Sequence, residues 1–203
     1  MLAVRRVTPF PWPDLLIIAG LIVLNGVFAM SELAIVSAKP ARLKSAADKG
    51  SAAAKTALAL AADPGKFLST VQIGITLVSI VAGAYSGSSL GGPVGERLEA
   101  LGVPREYAPE AGFALVIALT TYFSLVVGEL VPKQIALRVA IPVALVASRP
   151  LAMLARVAHP VVWLLDKSSA LLIRLMGVRP SVHGAVTAEE LHMIFTEATH
   201  SGV

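Results

Sequence analysis

Gly128-Glu129-Leu130-Val131-Pro132-Lys133 closes an apolar stretch of membrane-spanning length and puts a carboxylate where hydrocarbon tolerates charge poorly. Pro132 has no backbone N–H, so in a helix the carbonyl of Gly128, four residues earlier, loses its donor. A freed carbonyl oxygen beside a carboxylate makes a pair of hard oxygens, the ligand type that Mg²⁺ and Ca²⁺ prefer. An ionised acid at membrane depth costs about 2.5–3.5 kcal/mol on insertion scales, which argues for a cation at Glu129. The competing reading is a proline-terminated helix whose Glu129 has reached the headgroups and binds nothing.

Composition fixes the solvent. The 203 residues are 56% hydrophobic and 15% charged, with a mean hydropathy of +0.76. Soluble domains carry about 25% charge, so this is an integral membrane protein. Without cysteine there is no disulfide and no thiolate site, and any metal must be held by oxygen or imidazole. The net charge of +4 is modest, and nothing supports nucleic acid binding.

Three stretches free of Asp, Glu, Lys and Arg are long enough to span: residues 15–31, 67–95 and 111–128. Asp63-Pro64 opens the second as N-cap and first helical residue. Ser86-Gly87-Ser88-Ser89-Leu90-Gly91-Gly92-Pro93 predicts that this helix stops near residue 89. Residues 139–176 are apolar but carry Arg149, Arg156, Lys167 and Arg174 at spacings of 7, 11 and 7, which return to one helix face. With Pro142, Pro150 and Pro160 interrupting it, the region reads as amphipathic helices lying in the interface. A fourth span with snorkelling cations is the alternative.

The expected fold is therefore all-α, with three transmembrane helices per protomer plus juxtamembrane helices. Residues 1–137 form the membrane domain including an arm at 39–62, residues 138–180 the interfacial helices, and residues 181–203 the start of a cytosolic helical linker. Thr187-Ala188-Glu189-Glu190 reads as a capping box for that linker. Six basic residues between Lys39 and Lys66 place that segment in the cytoplasm, hence the N-terminus outside and the C-terminus inside. Arg5 and Arg6 argue weakly the other way, as in a signal peptide, but no convincing cleavage site follows the apolar run.

Polar residues within the spans are arranged. Ser69, Gln72, Thr76 and Ser79 recur at 3, 4 and 3 on one face; Thr120, Ser124 and Gly128 recur at 4 and 4 and lead to Glu129; Asn25 and Glu32 align at 7, with Ser31 adjacent. Singly, each hydroxyl is as well explained by a bond to the carbonyl four residues earlier or by helix packing, as are Gly74, Gly83 and Gly87. Together, around a carboxylate, they suggest an ion path.

Asn25-Gly26-Val27-Phe28-Ala29-Met30-Ser31-Glu32-Leu33-Ala34, Phe67-Leu68-Ser69-Thr70-Val71-Gln72-Ile73-Gly74-Ile75-Thr76 and Gly128 to Lys133 closely resemble, in order and spacing, the transmembrane domain of the CorB/CorC and cyclin M (CNNM) magnesium transporters. The resemblance covers nearly the whole chain. It implies a dimer of three-span protomers in the cell membrane that exports Mg²⁺ coupled to Na⁺ entry, with cytosolic nucleotide-binding CBS domains beyond residue 203. It also maps Ser31, Ser69, Gly128 and Glu129 onto motif positions around the ion, with Ser37, Gln72, Thr76 and Ser79 as neighbours; whether Glu32 ligates, gates or meets a second ion stays open. No P-loop or phosphoaspartate motif supports ATP hydrolysis, and the expectation is not an enzyme. The four histidines lack ligand-like spacing. A membrane Mg²⁺ sensor or scaffold that regulates another transporter is the alternative function.

Overall fold

A computed structural model describes residues 9–176, apart from the side chain of Lys66. The regular elements among the described residues are all helical: α1 (Trp12–Ser37), α2 (Pro40–Asp48), α3 (Ala52–Ala62), α4 (Pro64–Ala100), α5 (Ala108–Leu125), a π-helical turn (Val126–Leu130), α6 (Val131–Arg138) and α7 (Ala140–Leu175). The chain divides into one compact unit up to Val162 and a second from Trp163. In the second unit the side chains of the described residues are exposed. The capping box at 187–190, the linker and His183, His192 and His200 lie outside the described residues.

Four segments are long and apolar enough to cross a membrane: Trp12–Ser37, Phe67–Ala100, Ala108–Arg138 and Ala140–Leu175. The first three contain the expected spans, and Pro64 does begin α4. Two expectations need correction. α4 does not stop near residue 89 but runs for 37 residues, about 55 Å, through Gly91, Gly92 and Pro93. Two of the glycines that read as a loop, Gly87 and Gly91, are helix-packing residues, as is Gly95 beyond them. A Cβ on Gly87 or Gly91 would press on Phe113 of α5, and one on Gly95 would stand 2.9 Å from the Ala108 carbonyl. Close backbone approach holds the helix that glycine's own propensity would loosen. The turn comes later, at Gly102, whose φ of +104° suits glycine; there Val103 N–H reaches back to the Leu98 carbonyl.

The second correction concerns residues 139–176. Pro142, Pro150 and Pro160 do not interrupt the segment, which is one continuous helix with Pro150 and Pro160 inside it. A proline removes one ladder bond, and packing of the rest carries the helix past it. Ala144, Ala147, Ser148 and Leu151 form its buried face, while Arg149 and Arg156 are exposed.

That buried face completes the main core. Ala29, Ile35 and Ala38 of α1 and its exit, Leu43 of α2, Ala57 of α3, Phe67, Val71 and Ile75 of α4, and Ala144, Ala147 and Leu151 of α7 form one cluster. The arm is pinned by Ser148, whose hydroxyl donates to the Ala53 carbonyl at 3.0 Å. A smaller cluster of Ile18, Ile22, Leu90 and Val116 joins the other ends of α1, α4 and α5. There Tyr85 Oη donates to Asp14 Oδ1 at 2.6 Å, and the Arg97 guanidinium lies 5.1 Å from the Phe10 ring centroid.

The α4–α5 contact makes a sharp prediction. A Cβ on Gly112 would overlap the Gly95 backbone nitrogen and come within 2.6 Å of Gly95 Cα and 2.7 Å of the Gly91 carbonyl oxygen, all backbone atoms that cannot rotate away. Gly112→Ala should cost about 1–3 kcal/mol, the range for overpacking. Gly92→Ala, with open space around it, should be neutral or slightly stabilising. Thermal unfolding of the two variants in detergent checks both signs.

Candidate functional site

The third apolar segment bends its ladder at the motif that opened the sequence reading. Pro132 cannot donate to Gly128, and the helix accommodates the loss by slipping one residue: Val131 N–H bonds the Val126 carbonyl, five positions back. The π turn from Val126 to Leu130 is the product of that slip. The Gly128 carbonyl is not left bare, however. Asn25 of α1, only 2% exposed, donates Nδ2 to it at 3.3 Å.

This bond requires two backbones to approach closely. Gly26 and Gly128 permit it. A Cβ on Gly26 would stand 3.0 Å from Pro132 Cγ and 3.2 Å from the Val127 carbonyl oxygen, and one on Gly128 would stand 3.1 Å from the Ile22 carbonyl oxygen. α1 thus packs along both the π turn and α6. Asn25 Oδ1 receives nothing in exchange: it is buried and has no hydrogen-bond partner. An orphaned amide oxygen next to a carbonyl with a second lone pair is a polar deficit that a cation or water would relieve.

The charges begin at the residue after Gly128. Glu129 Oε1 accepts from Lys133 Nζ at 2.7 Å, and the same ammonium lies 4.0 Å from Glu32 Oε2 of α1. One lysine therefore stands between carboxylates from two helices. The sequence reading missed Lys133, although Glu followed four residues later by Lys is the helical ion-pair spacing.

The other expected residues are distributed differently. Ser31 is buried, but its hydroxyl donates to the Val27 carbonyl at 2.6 Å, and it lines an apolar cavity of about 730 Å³ between α1 and α7. Ser37 is exposed. On α4 the packed face is Phe67, Val71, Ile75 and Ala82; Gln72 and Thr76 are exposed, and Ser69 and Ser79 are half-buried. The stripe of Ser69, Gln72, Thr76 and Ser79 is a face that this single chain leaves open, and α1 rather than α4 packs on the π turn. Of the expected set, the structure sets Gly128 against Asn25 and links Glu129 to Glu32 through Lys133. Among the described residues no three or more His, Cys, Asp or Glu side chains converge as a metal cluster. A hard cation here would rely on carboxylate, carbonyl and amide oxygens together.

Comparison with known proteins agrees with this reading at the level of family. The profile of the cyclin M transmembrane N-terminal domain matches residues 16–203. The UPF0053 protein sll0260 of Synechocystis is 39% identical over 94% of this chain and 42% of its own length. The UPF0053 protein YhdT of Bacillus subtilis is 35% identical over 93% of this chain and 41% of its own. A Haemophilus influenzae protein named polyamine export protein is 28% identical over 93% of this chain and 44% of its own. The chain spans about two fifths of the length of these curated relatives.

The backbone geometry predicts the behaviour of Pro132→Ala. The new N–H can bond the Gly128 carbonyl, the α register resumes, and Glu129 turns by about 100°, one residue of helix. Asn25 then competes for its acceptor. We expect folding stability within about 1 kcal/mol of the parent, because the gained bond offsets the lost ring contact with Gly26, but a marked loss of divalent-cation binding. Calorimetric titration with Mg²⁺ alongside thermal unfolding separates the two effects.

Proposed function

Because the chain belongs to the cyclin M transmembrane family, we propose that it carries Mg²⁺ out across the membrane as a secondary transporter driven by Na⁺ entry. The observation that supports this most is the π turn. It carries Glu129 next in sequence to Gly128, whose carbonyl is held by the Asn25 amide with its unpartnered Oδ1, and Lys133 links Glu129 to Glu32 of α1. The carboxylates, the carbonyl and the amide oxygen are hard oxygen donors at the end of an apolar segment, and ionised groups at that depth are retained for function rather than stability.

The topology that fits this role has three spans, α1, α4 and α5–α6, with the basic arm of α2 and α3 in the cytoplasm and the N-terminus outside. α7 then lies along the inner interface. Its exposed Arg149, Arg156, Lys167 and Arg174 suit phospholipid headgroups. The open stripe on α4 supports a homodimer. Gln72 and Thr76, exposed in one chain, would otherwise face hydrocarbon, and a second copy bringing its own stripe would cover them with polar groups, Ser69 and Ser79 among them.

A second reading has its own support. Lys133 shows that Glu129 accommodates a primary ammonium on an alkyl stem, the chemistry of a polyamine terminus, and one relative is named for polyamine export. Purified protein in liposomes decides between the cargoes. Mg²⁺ flux that depends on an opposing Na⁺ gradient supports the first reading, whereas spermidine flux without Mg²⁺ flux supports the second. Binding without flux would point to a sensor. Glu129→Gln keeps the shape and removes the charge; it should weaken Mg²⁺ binding by at least about tenfold and abolish gradient-driven flux.

A further inference from the structure

We propose that Lys133 is a built-in counter-cation for the Glu129 pocket, which holds the two carboxylates while no cargo is bound and must swing off them for a cation to enter. The inference rests on reading that pocket as the cation site.

Three observations carry it. Lys133 Nζ is 2.7 Å from Glu129 Oε1 and 4.0 Å from Glu32 Oε2, so one ammonium bridges α1 and α6. Among the described residues no other Lys or Arg pairs with either carboxylate. The three side chains are only partly shielded, at 32% exposure for Lys133, 33% for Glu129 and 14% for Glu32, which leaves the ammonium a route away from the pair. Two carboxylates from facing helices repel when neither is neutralised, and Lys133 removes that repulsion. A divalent cation that takes Glu129 Oε1 takes the acceptor that Lys133 now uses. It also repels the ammonium, so the two occupancies exclude one another. A lysine suits this role better than an arginine would. Its ammonium is a compact charge on a flexible stem, whereas a guanidinium would grip the carboxylate with two bonds and release it less readily.

The exchange couples occupancy to structure. With Lys133 in place, α6 is tied to the Glu32 end of α1; with the cation in place, that tie is lost and the lysine becomes accessible. A site that supplies its own competitor binds its cargo less tightly than its oxygens alone would, which favours release over retention.

The test uses the full purified chain in detergent with Mg²⁺ alone as probe. Lys133→Met should bind Mg²⁺ about three- to tenfold more tightly than the parent, the scale set by a partly exposed ion pair. Its metal-free melting temperature should fall while the rise produced by Mg²⁺ grows. Lys133→Arg should bind no better than the parent. In the unaltered protein, acetylation of Lys133 by an amine reagent, followed by mass spectrometry, should accelerate on Mg²⁺ addition, a readout that needs no variant. Unchanged or weaker Mg²⁺ affinity in Lys133→Met, or Lys133 reactivity indifferent to saturating Mg²⁺, would overturn the proposal. If the parent binds no Mg²⁺, the reading of the cargo fails; a Lys133→Met protein that then gains binding still supports the lysine's role, and one that stays silent overturns both.

Discussion

A carbonyl that loses its helical donor inside a membrane cannot turn to water, and the middle of this protein is organised around that constraint. Pro132 withholds the donor, the ladder slips into a π turn, and the Asn25 amide crosses from α1 to bond Gly128. The crossing is possible only because Gly26 and Gly128 let two backbones come together without side chains between them. The deficit is displaced rather than cancelled. Asn25 gives its amide hydrogen and keeps an unsatisfied Oδ1, so a buried polar atom without a partner remains where α1 meets the π turn.

The charges that adjoin the π turn follow a related logic. Two carboxylates and one ammonium leave a net negative pocket that tolerates a cation better than it tolerates being empty. Neutralisation by Lys133 makes the metal-free state affordable, and the incomplete shielding of the pair keeps it exchangeable. Stability and function pull on the same lysine in opposite directions, as is usual where a site must both bind and release.

Much of this was legible in the sequence, and the limits have physical causes. Hydropathy located the first three apolar helices because a bilayer imposes a length on them, and the π turn's origin was visible in Pro132 because a missing N–H is a local fact. The freed Gly128 carbonyl was half right: its helical donor is gone, but a residue 103 positions away replaces it. Local rules failed where distant backbone decided the outcome. Gly91-Gly92-Pro93 has the composition of a loop, yet α5 lies against Gly91 and Gly95 so closely that the helix continues. Pro150 and Pro160 likewise sit inside a helix. Periodicity gathered Ser69, Gln72, Thr76 and Ser79 on one face correctly, but it carried no information about which neighbour that face would meet.

That last point shows how the helices divide their labour. α4 commits Phe67, Val71, Ile75 and Ala82 to the core, farther along it commits Gly87, Gly91 and Gly95 to α5, and Tyr85 ties it to Asp14 of α1. The stripe of Ser69, Gln72, Thr76 and Ser79 stands apart from that packing, with Gln72 and Thr76 exposed and Ser69 and Ser79 half-buried. α1 does the reverse, burying Asn25 and Ser31 in the same helix whose Ile18, Ile22 and Ile35 anchor both clusters. A helix that mixes polar contacts into its core is tied to its neighbours in one register, whereas a helix whose polar face is separate from its packing can keep its core while that face changes partners. The rigid polar register therefore lies between α1 and the π turn, and the freedom to rearrange lies along the open face of α4.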